Sequence, residues 1–209
     1  YEAQIAGVGD NVPGHRMKNL LIQQLKRRSV HEVADRRAAL VEFIRSSGIS
    51  LRFVNGGGTG SMATTGKESV VTEITVGSGF YSPGLFDYYR DFRYQPAAGF
   101  AIEIVRQPET SIYTCLGGGY IASGSAGPEK LPQPYLPQGA KLDSLEGAGE
   151  VQTPIHYKGP VPLKPGDPIF MRHAKAGELC ERFTHLLLVL NGAVVDEVTT
   201  YRGDGKCFI

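Results

Sequence analysis

The sequence predicts a chain that is α/β at its start and all-β at its end: the C-terminal part of a (β/α)8 barrel followed by a β domain. Two observations predict it. Apolar runs in the first part break into glycine-rich loops, Val54-Asn55-Gly56-Gly57-Gly58-Thr59-Gly60-Ser61 and Val76-Gly77-Ser78-Gly79-Phe80-Tyr81. From Ala101 onward, helical periodicity gives way to short β-like runs between Gly, Pro and Ser clusters. In a parallel barrel, phosphate sites form at the loops after the last strands. The order strand, helix, strand, loop, strand therefore fits the end of such a barrel, with about five strands missing.

Each element has its own reason. Tyr1 to Val8 is small and apolar and reads as a short buried strand. Asp10-Asn11-Val12-Pro13-Gly14 is turn chemistry. Met17 to Ser47 carries Met17, Leu20, Leu21, Leu25, Val30, Val33, Leu40, Val41 and Ile44 at helical spacing among charged residues, with a break near Ser29 as an option. Gly48 is a C-terminal stop. Strands are expected over Ile49–Val54 and Val70–Val76, and then over Ala101–Val105, Ser111–Leu116, Pro168–Met171, Leu186–Leu190 and Ala193–Val198. The runs Gly117-Gly118-Gly119, Gly124–Pro128, Pro132–Gly139 and Pro160–Gly166 read as loops. The domain boundary lies between Ser82 and Gly99, giving a barrel portion over 1–90 and a β domain over 91–209.

Composition narrows the partners. Of 209 residues, 22 are Lys or Arg and 21 are Asp or Glu. That balance argues against nucleic acid or an anionic membrane as the main partner. No apolar run approaches the roughly 20 residues a membrane span needs. Cys115, Cys180 and Cys207 make an odd, sparse set, and no signal peptide is visible, so a cytoplasmic setting is expected. The chain opens at Tyr1 without an initiator Met, which suggests a fragment, a processed product or one piece of a nicked polypeptide.

Chemistry concentrates in two places. Glycines at 56–58 and 60 bare the backbone and permit positive φ, so the first loop can wrap an anion with N–H groups, with Thr59 and Ser61 adding hydroxyls. The alternative for both loops is a tight turn. The second place is Arg172-His173-Ala174-Lys175-Ala176-Gly177-Glu178-Leu179-Cys180-Glu181, directly after an apolar run. His173 and Cys180 suit zinc, or Cys180 is a small core residue and His173 a polar turn residue. Lys175 reads as solvated or paired. Among the other histidines, His31 falls on a helix surface and His156 in a loop. Tyr81, Tyr88 and Tyr89 cluster after the second glycine loop, to close a site or to pack.

With those residues in view, the chain resembles the C-terminal part of the pyridoxal-phosphate enzymes of the D-threonine aldolase and D-serine dehydratase group, with alanine-racemase-like architecture. Tyr1-Glu2 resembles the family's strand ending Tyr-Glu-Gly-His. Asn55 to Ser61 resembles its phosphate loop, and Glu73 to Tyr81 its Glu-x-x-x-Gly-Ser-Tyr motif. Gly166-Asp167 precedes a strand running to His173, like the stretch before the family's His and Cys metal ligands. The resemblance implies pyridoxal 5'-phosphate held by Gly57, Gly58, Thr59, Gly60, Gly77, Ser78, Gly79 and Tyr81, and a divalent metal such as zinc on His173 and Cys180. In the family the two metal ligands stand two residues apart. The family's Glu-Glu-His-Gly element appears here as Gly149-Glu150-Val151-Gln152, without the His. The family's Schiff-base lysine falls outside this chain. The implied activity is metal-assisted retro-aldol cleavage or β-elimination of a β-hydroxy D-amino acid. A racemase, or a non-catalytic binder of pyridoxal phosphate or another phosphate ligand, is the alternative. The implied partners are a small amino acid substrate and a second copy of the chain in a homodimer, or a companion chain bearing the N-terminal half of the barrel.

Overall fold

The computed structural model describes residues 5–124 and 127–206. The chain forms two compact units. One comprises Tyr1–Tyr81 with Phe86–Gln95, and the other Ser82–Leu85 with Pro96–Ile209.

The first unit is built on α1 (Arg16–Ser46), a 31-residue helix. It holds no Gly or Pro and is rich in Leu, Lys, Arg, Gln and Ala, all good helix formers. It runs unbroken through Ser29. It ends where Ser47 N–H bonds Phe43 O at 3.1 Å and Gly48 turns to φ +79, a conformation open to glycine. Val41 is its one fully buried residue, while Leu20, Leu21, Leu25, Leu40 and Phe43 stay exposed. A helix with that sequence is amphipathic, yet much of its apolar stripe has nothing against it.

The two expected strands of this unit shrink to β1 (Asn55–Gly56) and β2 (Glu73–Ile74), paired in parallel. Residues 49–54 form no ladder. Parallel strands are ordinarily sustained by neighbours and by covered faces, and here each has a single partner. The expected first strand is also corrected: Ile5–Gly7 is a 3-10 turn, and residues 1–4 lie outside the described ones. Short helical turns follow both strands, Thr59–Ser61 leading into α2 (Met62–Thr65), and Ser78–Phe80.

The second unit is an antiparallel six-stranded sheet in the order β5-β8-β3-β4-β7-β6. Its members are β3 (Phe100–Glu109), β4 (Ile112–Leu116), β5 (Gln133–Leu136), β6 (Lys141–Leu142), β7 (Gln152–His156) and β8 (Pro168–Arg172). Edge strands β5 and β6 approach one another, which curls the sheet toward a barrel. Alternation places Phe100, Ile102 and Ile104 of β3 inward, with Ile155, Ile169 and Met171 from β7 and β8. Cys115 sits among them with no exposed surface, and burial pushes its thiol up to about 12, so it is inert packing.

Strands β5, β6 and β7 fall where the sequence reads as loop. Prolines mask two of them. Pro134 is tolerated because β5 is an edge strand. Pro154 is tolerated because β6 ends at Leu142, which pairs with Ile155, one residue short of it. The remaining elements are α3 (Ala176–Arg182) and a separate hairpin of β9 (His185–Leu190) and β10 (Ala193–Thr199). In that hairpin Leu187, Leu188, Val189, Leu190, Val194 and Val195 are all exposed. Among the described residues no helix is long and apolar enough to cross a membrane.

Candidate functional site

The glycine loops meet in the first unit. β1 and β2 lie side by side, so the loops leaving their C-terminal ends emerge together. The contact is specific: Gly79 N–H donates to Thr59 Oγ1 at 3.1 Å. A Cβ on Gly79 would stand 2.9 Å from Thr59 Oγ1 and Cγ2, so no other residue brings the loops this close. Gly57 takes φ +75, and its missing Cβ would press on Thr65 at 3.0 Å. A Cβ on Gly60 would meet the Tyr89 ring at 2.9 Å and Gly7 Cα at 3.1 Å. Within the first loop, Gly58 N–H donates to Ser61 Oγ at 3.2 Å. Gly77 faces open space.

The donor chemistry fits a phosphate. Thr59 is buried and accepts from Gly79, which leaves its own O–H free to donate. The Ser78 hydroxyl is half-buried beside it in sequence, and the glycine backbone admits close approach. Tyr81 is half-buried at the end of the second loop.

Thr65 and Asp10, which carry no sequence signal, support the loops together with Tyr89 of the tyrosine cluster expected to close a site or to pack. Thr65 backs Gly57. Tyr89 backs Gly60; its hydroxyl donates to Gly7 O, and desolvation with the nearby Asp10 charge pushes its pKa up to about 12. Asp10, 2% exposed, accepts Arg90 N–H at 3.1 Å and pairs with Lys26 at 3.4 Å, and Lys26 lies over the Tyr89 ring. Phe86, Tyr89, Phe92 and Tyr94 do pack on one another.

The second unit holds His173. Segment Ser82–Leu85 runs beside it: Gly84 N–H donates to His173 O at 2.9 Å and Leu85 N–H to Ala174 O at 3.1 Å. Arg172 clamps the same segment through Nε and Nη2 to Ser82 O, at 3.0 and 2.8 Å. His173 itself has no exposed surface. Desolvation, reinforced by the Arg172 charge, holds its imidazole neutral with a pKa lowered to about 4. Cys180 is buried on α3. Between them, buried Glu178 accepts Lys175 N–H at 2.5 Å, and burial raises its pKa.

Among the described residues this corner does not assemble a full metal-ligand set by itself. A zinc centre needs three or four converging ligands. Among the described residues no group of three or more His, Cys, Asp or Glu side chains is placed to hold a metal. Gly149-Glu150-Val151-Gln152 supplies no ligand and has a structural duty instead. Val151 O accepts Gly117 N–H at 2.8 Å, and a Cβ on Gly119 would stand 2.5 Å from Gly149. Of the remaining histidines, His31 lies exposed on α1. His156, expected in a loop, is in β7 with Nε2 2.8 Å from Asp143 Oδ2. The N–H of Glu146, then His156 and the N–H of Leu145, lower the Asp143 pKa to about 2.

No family model and no curated protein matches the chain. Solved structures do. A D-threonine aldolase from Filomicrobium marinum superposes with a TM-score of 0.72 at 17% identity, over 85% of this chain and 48% of that one. D-threo-3-hydroxyaspartate dehydratase from Delftia sp. HT23 gives 0.57 at 16% identity, over 80% and 50%. Alanine racemase from Clostridium difficile 630, in complex with cycloserine, gives 0.50 at 12% identity, over 93% and 53%. The chain thus spans about half the length of the structures it matches. Its fold is that of the C-terminal portion of these solved structures, including a β-sheet domain of barrel-like form.

Proposed function

We propose that this chain is the C-terminal part of a pyridoxal-phosphate-dependent lyase acting on a β-hydroxy D-amino acid, by retro-aldol cleavage or β-elimination. The observation that carries the reading is the Gly79–Thr59 bond, which joins two glycine loops at the C-terminal ends of two parallel strands. Its setting in a fold shared with a D-threonine aldolase and a D-threo-3-hydroxyaspartate dehydratase supports the substrate class.

The residues divide the work. Gly60 and Gly77 offer backbone N–H groups to the cofactor phosphate, Thr59 and Ser78 donate hydroxyls, and Gly57, Gly58 and Gly79 keep the two loops bare and close enough to receive it. Tyr81 borders the second loop. Tyr89 and Thr65 hold the first loop in shape from behind. When bound, the cofactor supplies an electron sink for the carbanion formed at the substrate Cα. The lysine that carries the cofactor comes from residues outside these 209, in the N-terminal half of the barrel. The exposed apolar stripe of α1 is consistent with that half packing there. A homodimer is part of the same reading. Buried thiols at Cys115 and Cys180 suit a reducing, cytoplasmic compartment.

The test is the visible spectrum of the native preparation, before and after borohydride, with every polypeptide resolved on a gel. A yellow species that borohydride fixes to a lysine beyond these residues is the expected result. The double variant Thr59→Val, Ser78→Ala should weaken cofactor affinity at least tenfold. Cleavage or deamination of D-threonine or D-serine then identifies the lyase. Bound cofactor without turnover identifies a binding protein, and interconversion of enantiomers identifies a racemase. A protein that stays colourless with added cofactor, or an unchanged affinity in the double variant, overturns the phosphate assignment.

A further inference from the structure

We propose that Lys175 and Lys130 form an anion site on the second unit, taking a carboxylate or phosphate group. Two residues after His173, the spacing of the family's ligand pair, this chain carries a lysine. A protonated lysine is a donor only and cannot ligate a cation.

The geometry shows a second cation beside it. Lys175 Nζ donates to Ser123 O at 3.0 Å. Lys130 Nζ stands 3.5 Å from where a Cβ on Gly124 would be. Both amino groups thus lie against the single peptide Ser123–Gly124, and the two side chains meet there. Gly124 has φ +105 and no side chain, which leaves room for Lys130 to lie over it. The strand-like contact Ala122 N–H to Lys130 O, at 3.0 Å, fixes the distance between the two arms of this loop.

Glu178 acts on Lys175 electrostatically without forming an ion pair with its amino group. Among the described residues neither amino group has a carboxylate oxygen within 4.0 Å. The two acids closest in sequence are engaged by backbone rather than by the amino groups. Glu178 is buried and accepts the Lys175 backbone N–H, and Glu129 folds back against Gly127. Ser123 O occupies one of the three Lys175 donors, which leaves two for a ligand, with three from Lys130. Two half-buried ammonium groups at contact repel, and an anion bridging them removes that repulsion. This site lies wholly in the second unit and does not depend on the cofactor reading.

The experiment is calorimetric titration of the native protein with malonate, and separately with inorganic phosphate, at constant ionic strength. Metal content is measured on the same preparation. One saturable site per chain is expected, with affinity reduced at least tenfold in Lys130→Met and in Lys175→Met, and kept within threefold in Lys175→Arg. Circular dichroism shows which variants are folded, and Lys130→Met serves if Lys175→Met fails. Metal is expected well below one equivalent, and His173→Ala should leave it unchanged. Preference for malonate assigns a carboxylate ligand, and preference for phosphate assigns a phosphate. Absence of saturable binding by both probes, binding unaltered in the folded Met variants, or one equivalent of metal lost in His173→Ala overturns the proposal. Cofactor binding is read separately from its absorbance, so failure of one reading leaves the other standing.

Discussion

The two units solve the problem of stability differently. The second buries a continuous apolar interior in which Ile104, Cys115, Ile155 and Ile169 have no exposed surface. The first buries Thr59, Ser61, Thr65, Asp10 and Tyr89 around its glycine loops, and leaves much of its helix stripe uncovered. One unit is thus held by apolar burial. The other is held by hydrogen bonds and close backbone approach around a site. Where backbone is laid bare and brought close, as at Gly57, Gly60 and Gly79, fewer side chains remain to build a core.

That contrast can be broken most directly by truncation. Ile155→Ala in the barrel interior should cost about 2–5 kcal/mol in denaturant unfolding, since the site is enclosed and collapses poorly. The truncation Val41→Ala on α1 should cost clearly less. Equal losses would erase the distinction between the units.

The next effect is one of pH. His173 has a folded-state pKa of about 4 against an ordinary 6.5, so the unfolded chain binds the extra proton between those values. Its contribution is complete above pH 6.5 and is lost as the pH falls toward 4. The expected loss is about 3 kcal/mol, at 1.36 kcal/mol per unit. Thermal melts of the wild type and His173→Gln across that window test it, and a variant with the same slope as the wild type would refute it.

Thr59→Val in the first unit should cost about 1 kcal/mol by removing one acceptor from Gly79 N–H. Amide exchange at Gly79 should quicken in that variant while the Ile155 amide is unaffected. The smallest effect belongs to Asp143→Asn. The carboxylate is held ionised down to about pH 2 by Glu146 N–H, His156 and Leu145 N–H, so its contribution exists above the ordinary carboxylate range and fades as the pH drops toward 2. At an exposed position that contribution is slight, and the pH dependence of wild-type and variant melts below pH 4 measures it.

Legibility followed locality. The helix over 16–46 was readable because its pattern repeats every three or four residues and no Gly or Pro interrupts it. Strands β3, β4, β8, β9 and β10 were readable as apolar runs between turn residues. Strands β5 and β7 were not, because a proline argues against a strand unless its missing N–H falls at an edge or past the end of a neighbour, and pairing order alone reveals that. The expected strands at 49–54 and 70–76 were overread, since apolar content predicts burial and these segments have one short partner each.

The sequence by itself determined the two glycine loops, the helix before them, the change to β texture near residue 100 and the His173-to-Cys180 run as a cluster of reactive types. Tertiary structure alone decided which of these touch. It joined Gly79 to Thr59 across 20 positions, set Tyr89 behind Gly60, and brought Lys175 to Ser123 across 52 positions. It also left His173 and Cys180 without a third ligand among the described residues. Local backbone preference is written into neighbouring side chains. Contacts between distant residues depend on strand order and register, which the packing of the whole unit fixes.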